Sequence, residues 1–404
     1  MPTGLFEKDF RALVTSQLVK NCLTLIVSLL VAKYLGVDER SLLAYYSSLG
    51  LLLSVVFLSG LPQLAAFDKE SFDRNLLPIF IWISLPVSLV ICYFAITSLD
   101  LSLKLCLLLC VYAFFLTTLI VVKEILRKQN NMSLVASIFV KEPFIVGSLS
   151  LGLLFLYPNA ESIFVAQVSG TMFMALYSIT KINFSSWHLS FRKPSLPLKN
   201  FSNYFRVNLS TGITLYGPVV LMTYLNIGAE YIAGFAMAQV FISQLEVFSN
   251  SKVFQLLPVM SEMESFSGSV AWEHFKGILI LNFILICLVA LGLWIVVLPI
   301  LGDGYSMILP IFLILGLGVF MSGFIKASNV WFNLNGYSGY ERVGTELRMV
   351  LMIIIFVTLY FYSGELLICF FAFPLSRFVR FLLTFRWLAK VNIAINNPIQ
   401  PEKR

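Results

Sequence analysis

Residues 352–362 read MIIIFVTLYFY and residues 23–32 read LTLIVSLLVA. Neither stretch alternates apolar with polar residues, and that decides between the two architectures that satisfy every backbone polar group inside a bilayer. Strands of a membrane barrel alternate lipid-facing and lumen-facing residues in segments of about ten. An unbroken apolar run instead reads as helix, which needs about 20 residues to cross roughly 30 Å of hydrocarbon. Working outward, comparable runs lie at approximately 10–36, 41–66, 76–97, 101–127, 132–157, 160–181, 204–226, 230–259, 275–300, 305–333, 343–364 and 366–389. The chain is therefore expected to be an all-α polytopic membrane protein with about 12 transmembrane helices. Composition agrees: 59% of the 404 residues are hydrophobic and 12% charged, with a mean hydropathy of +0.89, against about a quarter charged in soluble domains.

The one long polar connection, KINFSSWHLSFRKPSLPLKNFSNYFR (181–206), divides the chain. The expected organisation is an N-terminal six-helix bundle at 1–181, a cytoplasmic linker at 182–203, and a C-terminal six-helix bundle with a short cytoplasmic tail at 204–404. The halves look related. AKYLGVDERSLLAYY (32–46) and MTYLNIGAEYIAGFA (222–236) each end one helix, turn and begin the next, and the helix that follows closes on GLPQL (60–64) or LLPVM (256–260). Parallel repeats of this kind are common in transporters, with the substrate path between them.

Lys and Arg placement gives orientation, because short loops rich in them stay cytoplasmic. With both termini inside, the outward loops hold only Lys33, Arg40 and Lys104 of the 28 Lys and Arg. Most of the others, among them Lys123, Arg127 and Lys128, fall in cytoplasmic segments or within spans. The N-terminus has no small-residue cleavage pattern, so the first helix is expected to stay as an anchor. The six cysteines lie in apolar runs without paired spacing, and the two histidines, His188 and His274, sit in polar stretches. Neither set suits a metal site or a catalytic triad. No GxxxxGK[ST] loop, paired-carboxylate site or soluble domain of enzyme size is present, so no catalytic residue and no cofactor is expected. Basic loops follow from the positive-inside pattern and call for no nucleic acid.

Charges inside spans need a partner or water, since each costs from about 2.5 kcal/mol upward at the bilayer centre. The stretch SIFVKEPFIVGSL (137–149) sets Lys141 and Glu142 beside a helix-kinking proline. Lys141 lies about 13 Å along its helix, which reads as too deep for an easy reach to the headgroups. Lys20, Glu246, Arg377 and Arg380 also lie well inside spans, while Arg206, Lys252, Lys326 and Arg348 sit nearer cytoplasmic ends. Gln17, Asn21, Thr24 and Ser28, and likewise Gln239, Ser243, Glu246 and Asn250, share one helix face. Such stripes must look inward at other helices or at a cavity. Cations outnumber acids among these buried charges, which argues for a cavity that attracts anions.

Three stretches carry a likeness to a known family: LVAKYLGVDERSLLAYYSSLGLLLSVVFLSGLPQL (30–64), YIAGFAMAQVFISQLEVFSNSKVFQLLPVMSEM (231–263) and LGDGYSMILPIFLILGLGVFMSGFIKASNVWFNLNGY (301–337). The chain resembles the polysaccharide transport branch of the multidrug/oligosaccharidyl-lipid/polysaccharide (MOP) exporter superfamily, and within it the O-antigen flippases of the Wzx type. The resemblance implies two MATE-like six-helix bundles set in a V around a central cavity. It also implies alternating access, a bacterial inner membrane, and an oligosaccharide repeat unit on undecaprenyl pyrophosphate as substrate. Membrane lipids and the polysaccharide polymerase machinery are then the expected partners. Charge and depth, not the resemblance, select Lys20, Lys141, Arg377 and Arg380 to hold the pyrophosphate, with Arg206, Lys252 and Arg348 at the cytoplasmic entrance. Glu246 and Glu142 are the expected charge-pairing groups, Glu246 also being placed to bind a coupled proton. A drug antiporter of the same superfamily should favour acids in its cavity, and the lipid-II flippase branch has two further helices. A major facilitator sugar porter should show GxxxDRxGRR where this chain reads AAFDKESFDRN (65–75).

Overall fold

The computed structural model describes residues 3–58, 101–128, 131–182, 198–262 and 268–396. Within them the secondary structure is helical, without a strand. The helices are α1 (Thr3–Leu58), α2 (Leu103–Lys128), α3 (Met132–Leu156), α4 (Ala160–Ile179), α5 (Leu198–Tyr224), α6 (Ala229–Glu262), α7 (Gly268–Gly292), α8 (Ile308–Leu334), α9 (Ser338–Ser363) and α10 (Ala372–Asn396). A π-helical stretch and one more turn extend α7 to Leu301, and a short turn at Leu366–Cys369 precedes α10. Eight apolar segments among the described residues are long enough to cross a membrane. The first, Thr15–Phe57, has 43 residues, which at 1.5 Å per residue is about 64 Å, or twice the hydrocarbon thickness. It therefore accounts for two of the expected spans. The expected span at 76–97 lies outside the described residues. The spans expected at 204–226 and 230–259 are the helices α5 and α6; Asn208, Ser210, Thr211 and Thr214 keep α5 out of the apolar set.

Gly36 breaks α1, with φ 76° and ψ 178°. A side chain disfavours that backbone region and glycine does not, so the chain can turn there without a cap. Asn226, between α5 and α6, also has positive φ, at 53°, and asparagine is the non-glycine residue most tolerant of it. Gly36 follows Tyr34-Leu35 and Asn226 follows Tyr224-Leu225. The two sequence-similar turns thus share a backbone device as well as a spelling.

The chain forms two compact units, Met1–Ala236 and Met237–Arg404. In the first, α1 packs against α2, α3, α4 and α5, and α4 packs on α2 and α3. Its core joins Leu43, Leu109, Tyr112, Ile163 and Phe164 at one end to Phe57, Leu119, Val122, Ile138 and Met174 at the other. α3 runs without interruption through Pro143, which is buried. Small residues let these helices approach: a Cβ on Gly147 would lie 2.7 Å from the Val27 side chain of α1, and one on Gly170 would lie 2.9 Å from the Val146 Cα of α3. Backbone cannot yield as a side chain can. Gly170→Val is accordingly expected to cost about 1–3 kcal/mol by overpacking, read as a lower melting temperature and yield of the purified chain, while Gly152→Ala, where no atom lies within 4 Å, should leave both unchanged.

In the second unit α8 packs against α7, α9 and α10, and α9 packs on α10. An aromatic cluster closes one end: Trp331, fully buried, stacks on Tyr337, and Tyr340 contacts Phe332 and Trp387. Phe241 on α6 meets Phe312 on α8 edge to face.

Candidate functional site

Each unit holds a carboxylate on which two cations converge. In the second unit Glu246 stands on α6, one helical turn past Ser243 and two past Gln239 on the stripe the sequence shows. Arg377 Nη2 on α10 lies 2.8 Å from Glu246 Oε1, and Lys326 Nζ on α8 donates to Oε2 at 2.9 Å. Three helices therefore meet at one carboxylate whose side chain is 19% exposed. Arg377 also lies along Gly318, its Cδ 2.9 Å from where a Cβ would be, so the small residue on α8 makes room for the guanidinium.

Two further arginines surround this pair. Arg348 on α9 lies within electrostatic range of Glu246, Arg377 and Arg380, and its Nε is buried with no hydrogen-bond partner. Arg380 on α10 is buried at 7% exposure and makes no ion pair among the described residues. It passes Gly344, where a Cβ would lie 3.6 Å from its Nε. The counter-charge acting on Arg380 is Glu341, whose Oε2 accepts from Asn333 Nδ2 at 2.6 Å. Among the described contacts, Lys326, Arg348 and Arg377 act on Glu246 and Arg380 on Glu341. A buried guanidinium nitrogen without a hydrogen bond is costly, and an anion is the chemistry that would supply one.

In the first unit Glu142 on α3 takes Lys123 of α2 at 2.6 Å and Lys20 of α1 at 3.6 Å. Lys20, Lys123 and Arg127 all approach the ring of Phe139, at 5.4, 4.9 and 5.9 Å from its centroid, a cation–π arrangement. Arg127 is also held by Glu124 at 2.6 Å. Glu142 and Lys141, adjacent in sequence, do point different ways: Glu142 turns inward to this cluster, while Lys141 is exposed and donates to Tyr177 Oη at 3.0 Å.

Of the residues selected from sequence, the structure groups Arg377, Arg380, Arg348 and Glu246 in the second unit and Lys20 with Glu142 in the first. Arg206 is exposed on α5, and the side chain of Lys252 lies outside the described residues. Lys141 is exposed and donates to Tyr177, two residues before the end of α4; a helical side chain leans toward the N-terminus of its helix. Lys123, within the expected span 101–127, is buried against Glu142, and Lys326 pairs with Glu246. Sequence reasoning passed over Lys123, Lys326, Glu341 and Phe139. The depth of Lys326, about eight residues or 12 Å from the end of α8, was the one signal that could have found it.

Neither a protein-family model nor a curated protein matches the sequence. Solved structures do match the fold over nearly the full chain. An inward-facing multidrug resistance MATE family transporter of the MOP superfamily superposes with a TM-score of 0.68 at 14% identity, over 95% of this chain and 99% of that one. The chain shares the fold of this solved MOP-superfamily structure. An outward-facing multidrug resistance MATE family transporter gives a TM-score of 0.62 at 13% identity, over 96% of each chain. A MOP superfamily transporter from Pyrococcus furiosus, described as having a binding pocket of reverse polarity that suggests a different function, gives 0.58 at 14% identity, again over 96% of each. At these identities the likeness is one of fold.

Proposed function

We propose that this MOP-fold chain is a flippase. Its proposed substrate is an oligosaccharide repeat unit on undecaprenyl pyrophosphate, moved from the cytoplasmic to the periplasmic leaflet of a bacterial inner membrane for O-antigen or other surface polysaccharide assembly. Both termini are cytoplasmic in this reading, the halves 1–181 and 204–404 are duplicated units joined by 182–203, and transport proceeds by alternating access. The observation that carries the proposal is Arg348, a half-buried cation whose buried Nε has no hydrogen-bond partner, beside Arg377 and Arg380. A pyrophosphate offers oxygen acceptors in the geometry a guanidinium fork matches. On arrival it supplies the missing counter-charge for Arg348 and Arg380 and competes with Glu246 for Arg377. A carboxylate so released is placed to take up a proton, which gives Glu246 its coupling role. Lys20, held at the longer distance from Glu142, is the cation of the first unit most easily given up to substrate.

The rival is a MATE-type multidrug antiporter, which the fold fits equally well. Gene deletion separates the two. The flippase reading expects loss of surface polysaccharide with lipid-linked repeat units accumulating on the inner leaflet, and unchanged sensitivity to cationic dyes. Intact polysaccharide with raised dye sensitivity would establish the antiporter instead.

A further inference from the structure

A second set of cations lies on the surface of the first unit, at the end where α3 begins and α4 stops; Glu142, next to Lys141 in sequence, pairs instead with Lys123 and Lys20. Lys141 starts nine residues into α3, but its stem leans back toward the helix start, and its ammonium sits 5.0 Å from the centroid of Tyr177 as well as donating to the phenol oxygen. Lys181, one turn beyond Tyr177 and just past α4, places its own ammonium 5.2 Å from the same ring. Both lysines are exposed, and neither makes an ion pair among the described residues. Because Lys141 donates to the Tyr177 oxygen, the phenol proton is left to donate elsewhere. Two ammonium groups and one hydroxyl donor therefore converge with nothing negative between them.

The faces beside this cluster are apolar. Phe144, one turn after Lys141 on α3, is 60% exposed, and Phe173 and Leu176 on α4 are 55% and 50% exposed. Phe155 continues the α3 face at 71%. An apolar strip of this length, topped by cations at one end, has the polarity of a lipid molecule: chains along the strip, phosphate at the lysines. Lysines near a helix end reach the headgroup layer, and each adds to the attraction for an anionic lipid there.

We propose that Lys141, Tyr177 and Lys181 form a site for the phosphate of an anionic diacyl phospholipid, whose acyl chains lie over Phe144, Phe173 and Leu176. The site takes Lys141 out of the pyrophosphate set selected from sequence and does not depend on what the protein transports. The test is native mass spectrometry of the full chain in detergent with phosphatidylglycerol or phosphatidylcholine. Wild type is expected to retain phosphatidylglycerol, and Lys141→Gln/Lys181→Gln to lose it at least about fivefold, phosphatidylcholine adducts staying the same. Both side chains are exposed, so melting in lipid-free detergent should not change. Tyr177→Phe, which removes only the hydroxyl, should lower phosphatidylglycerol retention about twofold or more and keeps the test open if the double variant folds poorly. Equal phosphatidylglycerol retention by wild type and the variants would overturn the proposal. So would an equal loss of both lipids, or a lysine-dependent preference for undecaprenyl phosphate over phosphatidylglycerol, which would give the site to the carrier.

Discussion

Glu246→Gln is expected to cost the protein most of its folded yield. The substitution keeps the shape of the side chain and removes the charge that Lys326 and Arg377 share at 2.9 and 2.8 Å. Breaking a buried pair by removing one partner costs about 3–5 kcal/mol, because the remaining charge is left desolvated. Here two cations lose their partner at once, with Arg348 and Arg380 close enough to repel Arg377. Against a total stability of about 5–15 kcal/mol that loss is large. It should register as a lower melting temperature and a smaller monodisperse peak on size exclusion of the purified chain. Glu246→Gln/Lys326→Met removes one cation along with the carboxylate and should recover much of the yield. If the single and double variants are equally unstable, the carboxylate matters for its packing and not for its charge.

Arg348→Met should behave in the opposite sense. No ion pair holds this arginine among the described residues and its Nε has no hydrogen-bond partner, so an apolar side chain of similar length removes a desolvated charge without breaking a bond. Stability is expected to hold or rise. Transport is expected to fall, since a hydrogen bond to a charged group contributes about 1.5–3 kcal/mol, or roughly tenfold to a hundredfold in the amount of lipid-linked substrate needed for half-maximal flipping. Arg348→Lys keeps the charge and loses the planar fork, and should fall between the two. Reconstituted vesicles scored for loss of the repeat unit from the outward leaflet would read all three. A fall in stability that tracks the fall in transport would make Arg348 a structural residue.

The helices were legible because hydropathy reports directly on transfer into lipid: α2, α3, α4, α8 and α9 follow runs that no soluble protein would expose. The turn at Gly36 and its counterpart at Asn226 were legible too, as YLGV and YLNI, because glycine and asparagine are the residues that accept positive φ. The partners of the buried charges were not. Lys123 meets Glu142 across 19 residues and Lys326 meets Glu246 across 80, and periodicity along one helix says nothing about which helix faces it. Glu246 could be marked as a pairing group from its stripe, but not which cations it pairs with. Lys141 illustrates a different limit: depth counted along the helix axis ignores the lean of the side chain toward the start of α3, where its ammonium meets Tyr177.

The most direct test of the central claim is a titration of the purified full chain with undecaprenyl pyrophosphate at two ionic strengths, beside the Arg348→Met/Arg380→Met variant. A cation excess kept for an anionic substrate predicts saturable binding that weakens with salt and falls at least about tenfold in the variant, with folding intact. Equal affinity in the two proteins, or binding of organic cations in place of the pyrophosphate, would contradict it.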